Sequence, residues 1–102
     1  MAVTGTVRSE LLPGTPTVSE FVPGFEASQW IGIGAPKNTP KEIIDRLDHE
    51  INSGLADASI KARIIDLGGT VLPGSPAEFG EYIADETAKW GKVIRFADIK
   101  PE

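Results

Sequence analysis

The chain has 102 residues, of which 25% are charged and 40% hydrophobic, and its formal net charge is −5 at pH 7. This length fits one small domain with a single core, and no apolar run approaches the roughly 20 residues that a membrane-spanning helix needs. The acidic balance disfavours nucleic acid as a partner, because that partner requires clustered Lys and Arg. The absence of cysteine excludes disulfides and thiolate chemistry.

The first part of the chain, residues 1–36, is predicted to consist of strands and a long connection. Residues 3–7 are rich in β-forming side chains and indicate the end of a strand. The prolines between residues 11 and 25 prevent a continuous helix there. Thr17 and Glu20 have the spacing of a capping box and allow one short helical turn.

A short apolar segment ends this first part. Residues 29–35 contain Trp30 and two isoleucines and stop at a proline, a pattern that predicts a buried strand. Gly32 and Gly34 would let another backbone or a helix approach this strand closely.

The second part, residues 37–102, is predicted to be helical with a short strand. Thr39-Pro40-Lys41-Glu42 places a hydroxyl at the N-cap, proline at N1 and glutamate at N3 of a first helix, whose apolar stripe continues to Leu55. A second helix is predicted from about Ala58 to Leu67 and is ended by Gly68-Gly69. Residues 70–72 then predict a short strand.

A third helix begins with the same chemistry, because Ser75-Pro76-Ala77-Glu78 repeats the cap, the proline and the N3 glutamate. It is predicted to run from Pro76 to about Phe96. A helix of about 20 residues is near 30 Å long, which indicates packing across something larger than a small domain. Lys89, Lys92 and Arg95 lie at its end, where cations complement the helix dipole, with an anion or partner patch as the alternative.

No catalytic group of residues stands out, so the chain is predicted not to be an enzyme and to hold no metal or cofactor. His49 is the only histidine and forms an i, i+4 pair with Asp45, which we interpret as an exposed helix pair rather than half of a metal or base site. Gly32-Ile33-Gly34 lacks the third glycine of a dinucleotide loop. Asp85 and Glu86 are predicted to serve solubility.

Several motifs together carry a family resemblance that extends from residue 1 to about residue 100. They are Ala2-Val3-Thr4-Gly5, Pro16-Thr17-Val18-Ser19-Glu20, Pro23-Gly24-Phe25-Glu26, Trp30-Ile31-Gly32-Ile33-Gly34-Ala35-Pro36, Thr39-Pro40, Ser75-Pro76-Ala77-Glu78-Phe79 and Trp90-Gly91-Lys92-Val93-Ile94. In their order and spacing the chain resembles the C-terminal third of the Bug, or TctC-like, extracytoplasmic solute receptors. These are the substrate-binding proteins of tripartite tricarboxylate transporters.

The resemblance implies an α/β, periplasmic-binding-protein-like fold of the type II, Venus-flytrap kind. Such a periplasmic receptor captures small carboxylates between two lobes and delivers them to a membrane permease. This chain, residues 1–102, would be a single C-terminal fragment with three helices and a few short strands. The resemblance places Thr4 and Trp30 at the cleft wall as candidate ligand-binding residues.

The sequence also departs from the family pattern. The family's signal peptide and its first-lobe loops, which hold the ligand carboxylate, precede the region that Met1 matches. We therefore expect little ligand binding by the isolated chain and no export of the chain as it stands, whether it is cut from a longer protein or encoded by a shortened gene. The alternative is a stand-alone, self-associating interaction module without catalytic activity, a homo-oligomer, because open strand edges and helix faces can pair between chains.

Overall fold

A computed structural model describes residues 1–100 as three helices joined by turning and extended segments. A 3-10 helix, Val18–Glu20, precedes α1 (Lys41–Ala56), α2 (Ala58–Asp66) and α3 (Pro76–Phe96). The three predicted helices are thereby confirmed, each within a residue or two of its expected bounds. Within this described part, every helix is too short or too polar to span a bilayer.

The N-terminal connection contains the predicted helical turn. The backbone N–H of Thr17 donates to the carboxylate of Glu20 at 2.9 Å, as a capping box requires. The same carboxylate accepts two hydrogen bonds from the guanidinium of Arg8, at 3.0 and 2.7 Å. Thr17 is one of two buried residues in the described part, and this turn is therefore the best-enclosed point of the first 36 residues.

The predicted strands at residues 29–35 and 70–72 are wrong. Residues 29–35 are extended but make no hydrogen-bonded ladder, and in residues 3–7 only Val3 forms a bridge, parallel to Thr17. A strand exists only where a neighbouring segment pairs with it. Among residues 1–100 no backbone hydrogen bond joins residues 29–35 to another segment, and all of them except the half-buried Trp30 are exposed.

The two helix-start motifs differ in the structure. In α3 the Ser75 hydroxyl accepts from the Glu78 N–H at 3.2 Å, and the Glu78 carboxylate accepts from the Ser75 N–H at 2.7 Å, which confirms the capping box. In α1 the predicted N-cap is wrong. The Thr39 hydroxyl donates back to the carbonyl of Pro36 at 2.8 Å, so α1 begins without a side-chain cap. Threonine hydroxyls readily bond nearby backbone groups in this way.

Helix α2 is bounded by an aspartate and a glycine. The Asp57 carboxylate caps its first turn by accepting from two backbone N–H groups, at 2.9 and 3.1 Å. Gly68 has φ +82°, and the N–H of Gly69 donates to the carbonyl of Ile64 at 2.9 Å, so the helix ends in the left-handed turn that was predicted.

The described residues enclose no apolar core. No hydrophobic side chain among residues 1–100 is buried, and the radius of gyration is 16.6 Å, against about 13 Å for a compact domain of this size. The expectation of a single core is therefore wrong for residues 1–100. Among the helices of residues 1–100, α1 and α2 make the main contact with one another. Two hydrogen bonds between Asn52 of α1 and the backbone of Gly74, at 3.0 and 3.2 Å, connect α1 to the start of α3.

The predicted division into residues 1–36 and 37–102 stays a prediction. Residues 101 and 102, the last two of its second part, lie outside the described residues.

Candidate functional site

Residues 24–34, which we call the Trp30 segment, lie along α3 and contact it through an ion pair and aromatic rings. The segment begins in a turn whose residue Gly24 has φ +81°, a conformation that glycine adopts without strain. The Phe25 N–H closes this turn by donating to the Val22 carbonyl at 3.1 Å. Proline followed by glycine at the two central positions is typical of a type II turn.

A lysine of α3 connects the helix to the Trp30 segment. The Lys89 ammonium donates to the carboxylate of Glu26 at 2.6 Å and also binds the carboxylate of Glu86, one turn earlier on the helix. We call this arrangement the Lys89 bridge. Its three side chains are only 32% (Lys89), 28% (Glu26) and 10% (Glu86) exposed, so solvent screens their attraction less than at the open surface.

Trp90 completes the surroundings of the bridge. Its indole N–H donates to the second carboxylate oxygen of Glu86 at 2.8 Å, and its ring centroid lies 5.4 Å from the Lys89 ammonium. Glu86 is therefore a buried, fully partnered carboxylate. The prediction that it serves solubility is wrong, because it is buried and bound by Lys89 and Trp90 instead of facing solvent.

Trp30 itself packs edge-on against two aromatic rings of α3. Its ring centroid lies 5.7 Å from that of Phe79 and 5.5 Å from that of Tyr82, with near-perpendicular planes in both pairs. Edge-to-face contacts of this kind are favourable because the ring edge is electropositive and the face electronegative. Gly32 continues the contact, since a Cβ atom on it would lie 2.1 Å from the Phe79 ring. The predicted close approach of a helix is thus confirmed at Gly32, which lies against the Phe79 ring of α3, and is wrong at Gly34, where a Cβ atom would meet nothing within 4 Å.

The bridge shifts the pKa values of its members in a consistent way. Hydrogen bonding from Lys89 is the largest cause that lowers the pKa of both Glu26 and Glu86, and the two carboxylates in turn raise the pKa of Lys89. The pKa of Tyr82 is raised, first by burial and then by the negative charges of Glu86 and Glu26. All three bridge charges are therefore kept at neutral pH.

Two shallow, open depressions flank this surface. One is lined by residues 27–30 together with Trp90, and the other by residues 24–27 together with Lys89, Trp90 and Val93. Among the described residues that line them, the one cation is Lys89, which is already bound by two carboxylates. The depressions thus offer aromatic and amide groups but no uncommitted positive charge for an anionic ligand.

The two predicted ligand residues occupy different positions on this surface. Trp30 lines the first depression, whereas Thr4 is exposed and uses its carbonyl to accept from the Ala27 N–H at 3.1 Å. The backbone of Thr4 therefore supports the segment three residues before Trp30. Their role as ligand contacts stays a prediction.

The histidine pair has a different arrangement from the expected one. Asp45 binds Lys41, at 2.7 Å to one carboxylate oxygen, and does not pair with His49. Within residues 1–100, no three potential ligands come together as a metal site would require.

Sequence reasoning missed Glu26 and Lys89 as partners. They are separated by 63 residues, and no local spacing connects them. The cations at the end of α3 were interpreted as a dipole-matched face, which describes the exposed Lys92 but not Lys89.

The comparison with known proteins decides the family. The profile described as "Tripartite tricarboxylate transporter family receptor" (TctC) matches residues 1–99. The chain belongs to this family. The predicted resemblance to the Bug and TctC-like receptors is confirmed.

Relatives of known sequence support the assignment. The chain is 35% identical over 96 residues to a protein from the tcbD-tcbE intergenic region of Pseudomonas sp. strain P51, covering 92% of this chain and 29% of that protein. It is 33% identical over 101 residues to BugT of Bordetella pertussis, covering 98% of this chain and 31% of BugT. The chain thus spans about a third of the length of these relatives.

Solved structures share the fold. The chain matches R. palustris Rpa4515, solved with adipate, with a TM-score of 0.87 and 34% identity over 100% of this chain and 34% of that protein. It matches the periplasmic binding protein BugD with a TM-score of 0.85 and 33% identity, over 99% of this chain and 35% of BugD. The predicted fold class, part of a periplasmic-binding-protein fold, is confirmed.

Proposed function

We propose that this chain forms the C-terminal part of a periplasmic receptor, which binds small carboxylates and delivers them to the membrane permease of a tripartite tricarboxylate transporter. The observation that carries the proposal is the match of the whole chain to Rpa4515, a protein solved with adipate, at a TM-score of 0.87. In this role the chain binds a ligand and does not act as an enzyme.

Within such a receptor, this chain contributes part of the cleft wall and not the carboxylate-binding charge. Trp30 is held edge-on at an open depression, and the backbone of Thr4 supports the same segment. The nearby Lys89 is committed to Glu26 and Glu86, so a dianionic ligand meets negative charge there. The isolated chain therefore binds small dicarboxylates weakly or not at all.

Two titrations test this proposal. Calorimetry of the 102-residue chain with adipate is expected to give no saturable heat. A chimera in which residues 1–99 replace the matching third of Rpa4515 is expected to bind a small dicarboxylate. The chimera with Trp30→Ala is expected to bind it more weakly, since an aromatic wall of the cleft is lost.

The outcomes separate the parts of the proposal. Tight 1:1 binding of adipate by the isolated chain would show that it carries its own anion site. A chimera that melts cooperatively but binds no member of a dicarboxylate panel would contradict the assignment to carboxylate receptors. Unchanged affinity of the Trp30→Ala chimera for the dicarboxylate would show that Trp30 does not contact the ligand.

A second candidate function is self-association with another copy of this chain. Ile31 and Ile33 are 91% and 69% exposed on the Trp30 segment, whose backbone has no strand partner in the described residues. Residues 29–36 carry no charge, so two copies can pair there without repulsion despite the net charge of −5. Exposed, uncharged strand edges favour such pairing.

Light scattering across a concentration series tests this alternative. A homo-oligomer is expected to dissociate on dilution, and Ile31→Lys is expected to give a monomer because it places charge at the paired edge. Leu67→Lys is the matched control, since Leu67 is 89% exposed on another part of the chain. A wild-type chain that stays monomeric at every concentration would exclude self-association.

A further inference from the structure

We infer that Lys89 is a positioning residue, which holds the Trp30 segment on α3 and thereby sets the orientation of the Trp30 indole. The inference rests on the proposed function only in assigning a ligand contact to Trp30. The positioning itself depends on the geometry of the chain.

The first argument is the way in which the segment is held. Its contacts to α3 are the ion pair of Glu26 with Lys89, the edge-on packing of Trp30 and the close approach of Gly32 to Phe79. Trp30 and Gly32 are next-but-one neighbours and contact the same aromatic ring. The bridge is four residues away from Trp30 and is the only charged contact of the three.

The second argument is the charge arrangement. Lys89 lies between two carboxylates, one on the segment and one on α3, with the ammonium 2.6 Å from Glu26. Without the ammonium, the carboxylate of Glu26 would face that of Glu86 across the contact, and like charges repel each other strongly where solvent is limited. Lys89 therefore converts a repulsive contact into an attractive one.

The third argument is that Glu86 cannot turn away from this contact. Its side chain is only 10% exposed, and its second oxygen accepts from the Trp90 indole at 2.8 Å. The contact between Lys89 and Glu86 therefore lies entirely on α3, and the Trp30 segment is the part that can move. Loss of Lys89 is expected to release the segment while α3 stays helical.

Nuclear magnetic resonance of the full chain tests this inference. Cross-relaxation between the ring protons of Trp30 and Tyr82 reports their contact, and the indole signal of Trp30 is assigned with Trp30→Phe. In Lys89→Met these cross-peaks are expected to disappear. They are expected to remain in Lys89→Arg, which keeps the charge, and in Lys92→Met, which removes an exposed lysine of the same helix.

Glu26→Gln provides a second variant that leaves α3 unchanged. It is expected to lose the same cross-peaks without loss of helical circular dichroism. Retained cross-peaks in Lys89→Met would overturn the inference, and so would an unfolded Lys89→Met together with a Glu26→Gln chain that keeps the contact. If the cross-peaks respond as expected but the chimera described above binds no dicarboxylate, the positioning stands and the receptor function fails.

Discussion

Helices α1 and α3 use their charged side chains in different ways. In α1, Lys41 pairs with Asp45 and Arg46 pairs with Glu50, both at i, i+4 and with side chains more than half exposed. In α3, Lys89 reaches a carboxylate 63 residues earlier in the chain and is about one-third exposed. The ion pairs of α1 stabilise only their own helix, whereas that of α3 organises a separate segment of the chain.

Acid is expected to have the largest effect on the contact between α3 and the Trp30 segment, because it neutralises both carboxylates of the Lys89 bridge. Their pKa values are lowered from the ordinary 4.5, so their stabilising contribution is complete above that value and is lost as the pH falls through the lower folded values. The Trp30 to Tyr82 cross-peaks are expected to disappear over that range, while the helical circular dichroism of α1 changes less.

High pH is expected to weaken the Lys89 bridge as well, because it removes the charge of the lysine. The pKa of Lys89 is raised from 10.5, so its contribution is complete below that value and is lost as the pH rises through the folded value. Tyr82, whose pKa is also raised, gains a negative charge at high pH and adds to the repulsion. In Lys89→Arg the Trp30 to Tyr82 contact is still expected to be lost in acid. The loss that follows from deprotonation of the lysine at high pH is expected to be absent, since arginine stays charged. Cross-peaks that persist in acid would contradict the role of the bridge.

Glycine-to-alanine substitutions compare two positions of the Trp30 segment, one covered by α3 and one open to solvent. Gly32→Ala places a Cβ atom 2.1 Å from the Phe79 ring, whereas the same change at Gly34 meets nothing within 4 Å. We expect Gly32→Ala to lower the free energy of unfolding by about 1–3 kcal/mol in urea titrations. Gly34→Ala is expected to raise it by about 0.4–1 kcal/mol. Equal effects would show that the ring does not lie over Gly32.

The first turns of the two helices provide a third comparison. Ser75→Ala removes a hydroxyl that caps α3 and is expected to cost about 1 kcal/mol of unfolding free energy. Thr39→Ala removes a hydroxyl that donates to Pro36 outside α1 and is expected to cost less. Thermal melts monitored at 222 nm measure both. A larger loss in Thr39→Ala would mean that its hydroxyl does cap α1.

The smallest effect is expected within α1 itself. Arg46→Ala removes an exposed i, i+4 pair with Glu50 and is expected to cost about 0.3–0.5 kcal/mol, decreasing with added salt. Lys37→Ala, outside the helices, is the control. The Trp30 to Tyr82 contact is expected to be unchanged in both variants, and a change there would couple α1 to the Trp30 segment.

Local contacts were predictable from the sequence. The capping box of Ser75 and Glu78 and the turn at Thr17 follow from residues three apart, and the left-handed end of α2 follows from Gly68. These features depend on chemistry within one helical turn. Thr39 is the instructive exception, because the same pattern left its hydroxyl a choice between the helix and the carbonyl of Pro36.

Long-range contacts were not predictable. Residues 29–35 have the composition of a buried strand, yet nothing in the described chain pairs with them, since composition does not specify a neighbour. Glu26 and Lys89 likewise show no signal before folding brings them together. Trp30 was predicted as a candidate residue through the family resemblance, while its aromatic neighbours on α3 required the structure.

The two hydrogen bonds between Asn52 and Gly74 have a different character from the Lys89 bridge. The Asn52 carboxamide donates to the Gly74 carbonyl and accepts from the Gly74 N–H, and because it carries no charge, neither protons nor salt weaken these bonds directly. Helix α3 is thus anchored to α1 near its first turn by a neutral contact and to the Trp30 segment farther along by an ionic one. When acid breaks the ionic contact, the neutral one is expected to keep the start of α3 beside α1.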